Sequence, residues 1–331
     1  MMDSLILQTK KEIVEGRKIG LSEAVELSLA GLKRPYLLMS AASDIREHFK
    51  GKTVSLCGIV NAKSGRCREN CRFCAQSAHW DTEVQAYPLI AAEEIVKQAA
   101  QAGKDGAHLF GIVTSGTRIS SDREWREIFR AVEGIRAQGV LPCTSLGMID
   151  RDRAVELKKA GLYRYHHNLE TSRSFFSEIC TTHDYDDDVK TVLAAKEAGL
   201  SVCSGGIIGL GETMAQRMEM ACLLGELNVE SVPVNILNPI AGTPLIDSKP
   251  LPPIEILVTL AMFRFVLPDK DIKLCGGKEK NLRQLLPLGL IAGCNSLMTG
   301  NYLTTSGRDT VLDLEMIRDL GMEPLFEDSP D

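Results

Sequence analysis

Apolar positions along the chain change their period near residue 54. Before it they recur at helical spacing over 11–16, 21–30 and 36–49, which predicts helices there. Beyond it, short apolar runs alternate with amphipathic stretches. The runs 54–60, 107–113, 140–146, 162–169, 201–208, 231–237, 271–275 and 295–298 predict strands. The stretches 92–102, 121–138, 151–160, 187–198, 213–227, 253–266 and 280–288 predict the helices between them. Gly103, Gly139, Gly161 and Gly199 stand where four of these helices should end, as C-cap chemistry requires. Eight strands alternating with helices predict an α/β fold with a parallel sheet, and eight is the number that closes a (β/α)8 TIM-type barrel. The division expected is an N-terminal helical cap over 1–50, the barrel over 51–311, and a short helix with an acidic tail over 312–331. In such a barrel the active site lies at the carboxyl ends of the strands.

Composition narrows the chemistry. A chain of 331 residues is long enough for one barrel-sized core. Its net charge of −6, with both signs interspersed, argues against nucleic-acid binding. The most apolar stretch, 254–267, is interrupted by Glu255 and Arg264, so no membrane span is expected. Ten cysteines without a recognisable secretory signal point to a reducing, cytoplasmic setting and to metal or redox chemistry rather than disulfides.

Three of those cysteines, Cys67, Cys71 and Cys74, fall within eight residues at C-x3-C-x2-C spacing, directly after the first predicted strand. Three thiolates on one loop can each reach a different iron of a four-iron cluster and leave the fourth iron open to a small molecule. A zinc loop completed by His79 is the plainer alternative, but this is not a usual zinc spacing.

Two further stretches carry polar or backbone chemistry. In 163–171, His166, Asn168 and Glu170 share one strand face, while His167 and Leu169 share the other. A polar inward face is costly unless it meets a ligand or its own hydrogen-bond partners. The glycine-rich run 205–212 lacks the spacing and acidic partner of a dinucleotide fingerprint. It reads either as a tight strand-to-helix turn or as backbone closely approaching an adenosine.

Taken in order, CRENCRFCAQS (67–77), YHHNLETS (165–172), VCSGGIIGLGET (202–213), VPVN (232–235) and YLTT (302–305) resemble successive motifs of the biotin synthases. The resemblance runs from about residue 38 to 321. It implies a radical S-adenosylmethionine (SAM) barrel in which reductive cleavage of SAM yields a 5′-deoxyadenosyl radical. That radical removes hydrogen from dethiobiotin, and an auxiliary iron–sulfur cluster supplies the inserted sulfur. By the same resemblance Cys67, Cys71 and Cys74 bind the SAM-dependent 4Fe-4S cluster, Phe73 packs on the adenine and Glu170 holds the ribose. His183 stands where the family contacts the SAM carboxylate, and Gly205, Ile207 and Gly209 approach the adenosine. Asn168 and Asn235 meet the ureido ring of dethiobiotin, whose carboxylate tail is received by Thr304 and Thr305. Each role suits its side chain: amides donate and accept, and hydroxyls donate to a carboxylate. A homodimer, a flavodoxin or ferredoxin as electron donor, and sensitivity to oxygen are also implied.

The chain departs from the family at the auxiliary cluster, whose best-known form has two irons held by three strand cysteines and an arginine. Cys143 and Cys203 match two of those cysteines, but the second-strand cysteine aligns with Gly111 and the arginine with Lys273. Cys275, two residues beyond Lys273, is on the same strand face. Cys143, Cys203 and Cys275 together suit a four-iron cluster with one unique iron better than a 2Fe-2S cluster, which takes four ligands. A sulfide on that iron is the expected donor. Cys57, Cys180, Cys222 and Cys294 are read as small apolar fillers, and the acidic run 184–188 as a solvated helix start. Rival readings are another radical SAM enzyme on this barrel, or a non-enzymatic iron–sulfur or zinc protein. Lipoyl synthase would need a second cysteine cluster ahead of the SAM loop, where only Cys57 precedes it.

Overall fold

The computed structural model describes residues 2–305 and 307–325. The expected acidic tail beyond them lies outside the described residues. Three helices open the chain: α1 (Met2–Val14), α2 (Leu21–Lys33) and α3 (Pro35–Lys50). The alternating part follows as β1 (Thr53–Lys63), α4 (Ala92–Lys104), β2 (Leu109–Thr114), α5 (Asp122–Ala137), β3 (Leu141–Ser145), α6 (Arg151–Lys159), β4 (Arg164–His166) and α7 (Tyr185–Glu197). Next come β5 (Ser201–Cys203), β6 (Gly206–Ile208), α8 (Met214–Glu226), β7 (Ser231–Ile236), α9 (Pro253–Val266) and β8 (Asp271–Leu274). The chain then runs through α10 (Lys278–Leu282), α11 (Leu288–Ile291), β9 (Ser296–Met298), α12 (Thr310–Asp319) and β10 (Glu323–Pro324).

All strand pairings are parallel, and β9 pairs with β1 to close the sheet. Because β5 and β6 form two halves of one stave, the result is the expected eight-stranded barrel. The stave is interrupted at Gly205, where a Cβ would stand 2.1 Å from the Pro233 carbonyl oxygen, so only glycine lets the two backbones approach. The short β10 adds to the outer end of β1.

Register sets which side chains share a level inside the barrel. Cys57 pairs with Leu109 and Leu109 with Leu141, so Cys143 stands two residues further along β3. The same step leads through Arg164 and Ser201 to Cys203, through Ser231 and Asp271 to Lys273, and through Ser296 and Ser55 back to Cys57. Four such steps make the stagger of eight residues that defines this barrel type, in which alternate strands contribute four side chains to each layer. One layer is therefore Cys57, Cys143, Cys203 and Lys273. The layer above it, from the other four staves, is Gly111, His166, Pro233 and Met298 by the same register.

Below the thiol layer the barrel is plugged by polar groups that satisfy one another. Arg164 Nε donates to Ser201 Oγ at 2.9 Å and its guanidinium lies 3.7 Å from Asp271. Ser55 Oγ donates to Ser296 Oγ at 2.8 Å.

Helices α2 and α3 pack side-on against α8 and α9, and α1 packs against α2 and α3. This placement explains the most apolar stretch of the sequence: Ile256 to Val266 are all buried, since α9 is covered on both sides. Among the described residues no helix is long and apolar enough to cross a membrane.

Three local expectations shift. The helix expected to end at Gly103 runs on to Lys104, and Gly106 takes the left-handed conformation instead (φ 100°). The helix expected over 280–288 is broken into α10, a 3-10 turn over Arg283–Leu285 and α11. Pro287 at that break disfavours helix in the residue before it and offers no N–H. The fourth strand ends at His166, well short of 169, and Glu170 has a left-handed φ of 62°.

Arg264 fixes the entry to β8, the strand that carries Lys273. Although wholly buried, its guanidinium donates to the carbonyls of Gly293, Leu267, Pro268 and Lys270 and to Asn295 Oδ1 at 2.8–3.2 Å. Asn295 passes the restraint on, accepting from Ile272 N and donating to Asp271 Oδ1, each at 2.9 Å. Arg264→Leu would orphan several buried acceptors at about 1–3 kcal/mol each. It should lower the urea midpoint of the cluster-free chain by the equivalent of about 3 kcal/mol or more, and a wild-type midpoint would refute this role for Arg264.

Candidate active site

The loop after β1 carries Cys67, Cys71 and Cys74 and is folded by its own backbone. Cys74 N donates to the Cys71 carbonyl at 3.0 Å, Cys67 N to Gln76 at 3.0 Å and Ala78 N to Cys67 at 2.7 Å. Trp80 Nε1 donates to the Cys71 carbonyl at 3.0 Å. His79, the candidate fourth zinc ligand, instead puts Nε2 2.9 Å from the Arg68 carbonyl and braces the loop.

A second anchor comes from far along the chain, in the segment before α7. Asn70 Nδ2 donates to Thr181 Oγ1 at 2.7 Å, Thr181 N returns a bond to Asn70 Oδ1 at 2.9 Å, and Arg72 N donates to the Ile179 carbonyl at 3.0 Å. Glu69 accepts from Thr117, Thr182 and His183, the last at 2.8 Å. His183 also faces Asp188 at 3.3 Å, and Asp188 holds His167 at 2.8 Å. Burial works against the His183 imidazolium, but Asp188, Cys180 and Glu69 outweigh it and raise its pKa to about 11. The acidic run is thus not wholly solvated, since Asp188 is buried and hydrogen-bonds two histidines.

Cys180 is likewise more than a core filler. Its sulfur lies 3.7 Å from that of Cys71 and 3.4 Å from His183 Nδ1. The shared contact raises the Cys71 thiol and lowers that of Cys180. The pairing depends on a loop return that no local pattern records. Being one of ten cysteines was its only signal in the sequence.

Phe73 packs with Ile207 and Phe175 against the small apolar cluster of Ile179, Leu210, Leu237 and Leu245. The loop therefore meets the barrel through an apolar wall beside its last cysteine. Of the glycine-rich run only Ile207 borders the central cavity; Gly205 abuts β7, and Gly209 N donates to Glu212 Oε1 at 2.8 Å.

A cavity of about 350 Å³ descends from this wall to the thiol layer. At its mouth stand Phe73 and Cys74, with Thr304 and Thr305 on the rim. Midway are His166, Asn168, Glu170 and Asn235, and the floor is Cys57, Cys143, Cys203 and Lys273. Asn168 donates to Glu170 Oε2 and accepts from Gly205 N, both at 3.2 Å, while Asn235 accepts from Gly276 N at 3.0 Å. Each amide keeps a free N–H and a free lone pair for a ligand. Burial raises the Glu170 carboxyl to about 7.

Two cysteines exchange places relative to expectation. Cys275 is fully buried but does not line the cavity; its sulfur turns to the Lys273 carbonyl oxygen at 3.6 Å. Cys57, read as a filler, lines the floor. Lys273 is only 3% exposed, and among the described residues its ammonium makes no hydrogen bond or ion pair. A buried ammonium costs several kcal/mol unless an anion faces it. Thiols around an unmatched cation fit a thiolate-bound, anionic cluster. Burial works against the Lys273 charge, and the neighbouring Cys57, Cys203 and Cys275 favour it.

The superfamily model for radical SAM proteins matches residues 62–224, and that for the Biotin and Thiamin Synthesis associated domain matches 233–323. The chain is 53% identical over 313 residues to a biotin synthase of Geotalea daltonii, covering 94% of this chain and 95% of that one. It is 52% identical over 309 residues to a biotin synthase of Geobacter metallireducens, covering 93% and 94%. Among solved structures, a methylornithine synthase superposes with a TM-score of 0.80 at 21% identity, covering 96% of this chain and 97% of that one. The FeFe-hydrogenase maturase of Carboxydothermus hydrogenoformans gives 0.76 at 18% identity, covering 98% and 85%. These last two likenesses bear on the fold alone. With near-complete coverage at about half identity, and a cysteine loop set over a barrel floored with thiols, the chain belongs to the biotin synthase family of radical SAM sulfurtransferases.

Proposed function

We propose the following division of labour for sulfur insertion into dethiobiotin by this chain. Cys67, Cys71 and Cys74 hold the SAM-dependent 4Fe-4S cluster; Phe73 and Ile207 flank the adenine and Glu170 takes the ribose. His183, kept cationic by Asp188 and Glu69, lies beside the loop and orients the carboxylate of SAM. Asn168 and Asn235 bind the ureido ring through their remaining donor and acceptor positions, and Thr304 and Thr305 receive the carboxylate tail at the rim. Cys143, Cys203 and a third strand thiolate hold a four-iron auxiliary cluster beneath the substrate. When bound, the SAM cluster and SAM supply the electron and the radical chemistry, and the auxiliary cluster supplies the sulfur. The protein's part is to hold all of them around one water-poor cavity.

The observation that carries this reading is that single cavity. It has the cysteine loop at its mouth, two amides at half depth and thiols around a buried ammonium at its floor. Gly205 and Gly209 shape the turn behind it. A homodimer and a flavodoxin or ferredoxin donor rest on the family resemblance.

Iron and acid-labile sulfide in anaerobically prepared protein test the arrangement, together with Mössbauer spectra. About eight irons, all in four-iron environments, are expected. About six, with a two-iron signal, would restore the two-iron form, and about four would leave the sulfur without a donor.

Asn168→Ala and Asn235→Ala should each raise the KM for dethiobiotin roughly 10- to 100-fold, the equivalent of about 1–3 kcal/mol. Reductive cleavage of SAM should continue in both. An unchanged KM would remove the amides from the substrate site.

Glu170 adds a pH signature in the cluster-free chain. Its folded pKa of about 7 stands above the value of 4.5 it has when exposed, so the folded state holds the proton more tightly. Stability should be free of this penalty below about pH 4.5 and fall as pH rises towards 8. Glu170→Gln should lose that fall. Parallel pH profiles for the two proteins would contradict it.

A further inference from the structure

The sequence offers Cys275 as the third thiolate of the auxiliary cluster, but the barrel offers a different one. Alternate staves of a closed barrel with a stagger of eight share layers, and the register of β1, β3, β5 and β8 puts Cys57, Cys143, Cys203 and Lys273 in one of them. All four line the floor of the cavity. Cys275 belongs to the next layer of those strands, directly above Lys273, and does not line the cavity. Each of the two sulfurs sits near a carbonyl of its own segment, Cys57 by Gly58 at 3.7 Å and Cys275 by Lys273 at 3.6 Å. The difference between them is access to the shared space.

Gly111 supports the exchange. It lies on β2, between β1 and β3, pairs with both Ile59 and Cys143, and lines the same cavity. Having no side chain, it raises no wall between the thiols of β1 and β3. Lys273 completes the layer opposite Cys143, and among the described residues its ammonium makes no hydrogen bond and no salt bridge to a carboxylate. A layer of three thiols and one unmatched cation is built for an anionic group in its middle.

We infer that Cys57, with Cys143 and Cys203, provides the three cysteine ligands of the auxiliary cluster, and that Lys273 neutralises the cluster from the fourth position of the layer. This rests on the reading that the chain carries an auxiliary cluster. It assigns β1 two tasks: a ligand within the strand and the SAM-cluster loop at its end.

The test uses the full chain, prepared and reconstituted without oxygen, as wild type, Cys57→Ala and Cys275→Ala. Iron and sulfide are counted, Mössbauer spectra recorded, and the EPR signal of the reduced SAM cluster with SAM serves as the internal control. Cys57→Ala should fall from about eight irons to about four with the control signal intact, while Cys275→Ala keeps its auxiliary iron. Full iron in Cys57→Ala, or loss confined to Cys275→Ala, would overturn the assignment. Should Cys57→Ala lose the control signal as well, Cys57→Ser decides. An oxygen ligand should alter the Mössbauer parameters of one auxiliary iron, and an unaltered spectrum would again overturn it. A wild type holding only the SAM cluster would instead overturn the underlying reading, and is distinguishable because it needs no variant.

Discussion

Closing eight parallel strands with a stagger of eight residues forces the side chains of alternate strands into common layers. In this chain that constraint turns residues scattered from 57 to 273 into a single floor. Beneath it is a polar plug, in which Arg164 bonds Ser201 and faces Asp271 and the serines of β1 and β9 bond each other. The layer above holds Gly111, His166, Pro233 and Met298, and its glycine leaves room in the middle. Between plug and mouth the barrel is hollow because two of its layers are short of bulk, thiols and a glycine standing where branched aliphatics usually fill such a core.

The mouth depends on a different kind of restraint. A loop bearing three cysteines has few apolar side chains to fold around, and its geometry is dictated by hydrogen bonds to the segment before α7. Asn70, Arg72 and Glu69 are each tied to residues 178–183, more than a hundred positions away. His183 and Asp188 then link that segment to the strand end at His167. Loop, segment and fourth stave therefore act as one rigid frame, and the cluster site is preorganised from outside the loop.

This division explains what the sequence disclosed. The strands could be read from 54 onward because their apolar runs are bounded by helix-ending glycines, a signal confined to neighbouring residues. His166, Asn168 and Glu170 all line the cavity, as alternation along the segment suggests, because bonds from His167 and Leu169 to the fifth stave carry the chain on past the end of β4. Alternation also put Cys275 on the inward side of β8, but parity says nothing about depth. Choosing between Cys57 and Cys275 requires the stagger of the closed sheet, a property of all eight strands at once. Cys180 and Asp188 are illegible in the sequence for a related reason. Their partners, Cys71, His167 and His183, meet them only after a loop returns or a helix docks.

Lys273 carries the last step. At this position the family's better-known form has an arginine, whose planar fork can approach a metal cluster as a ligand. An ammonium on a flexible stem is a point charge that stays protonated among thiolates. On the assignment inferred above, a lysine here would neutralise the cluster rather than coordinate it. A cluster that loses a ligand there, and another where Gly111 has replaced a cysteine, needs a thiolate from elsewhere or must leave an iron open. Three cysteines with one open iron satisfies both conditions in a four-iron cluster, where each thiolate serves its own iron. Lys273, at the fourth position of the layer, would supply a positive charge beside such a cluster. Gly111 and Lys273, the two positions that depart from that form, thus border the same floor.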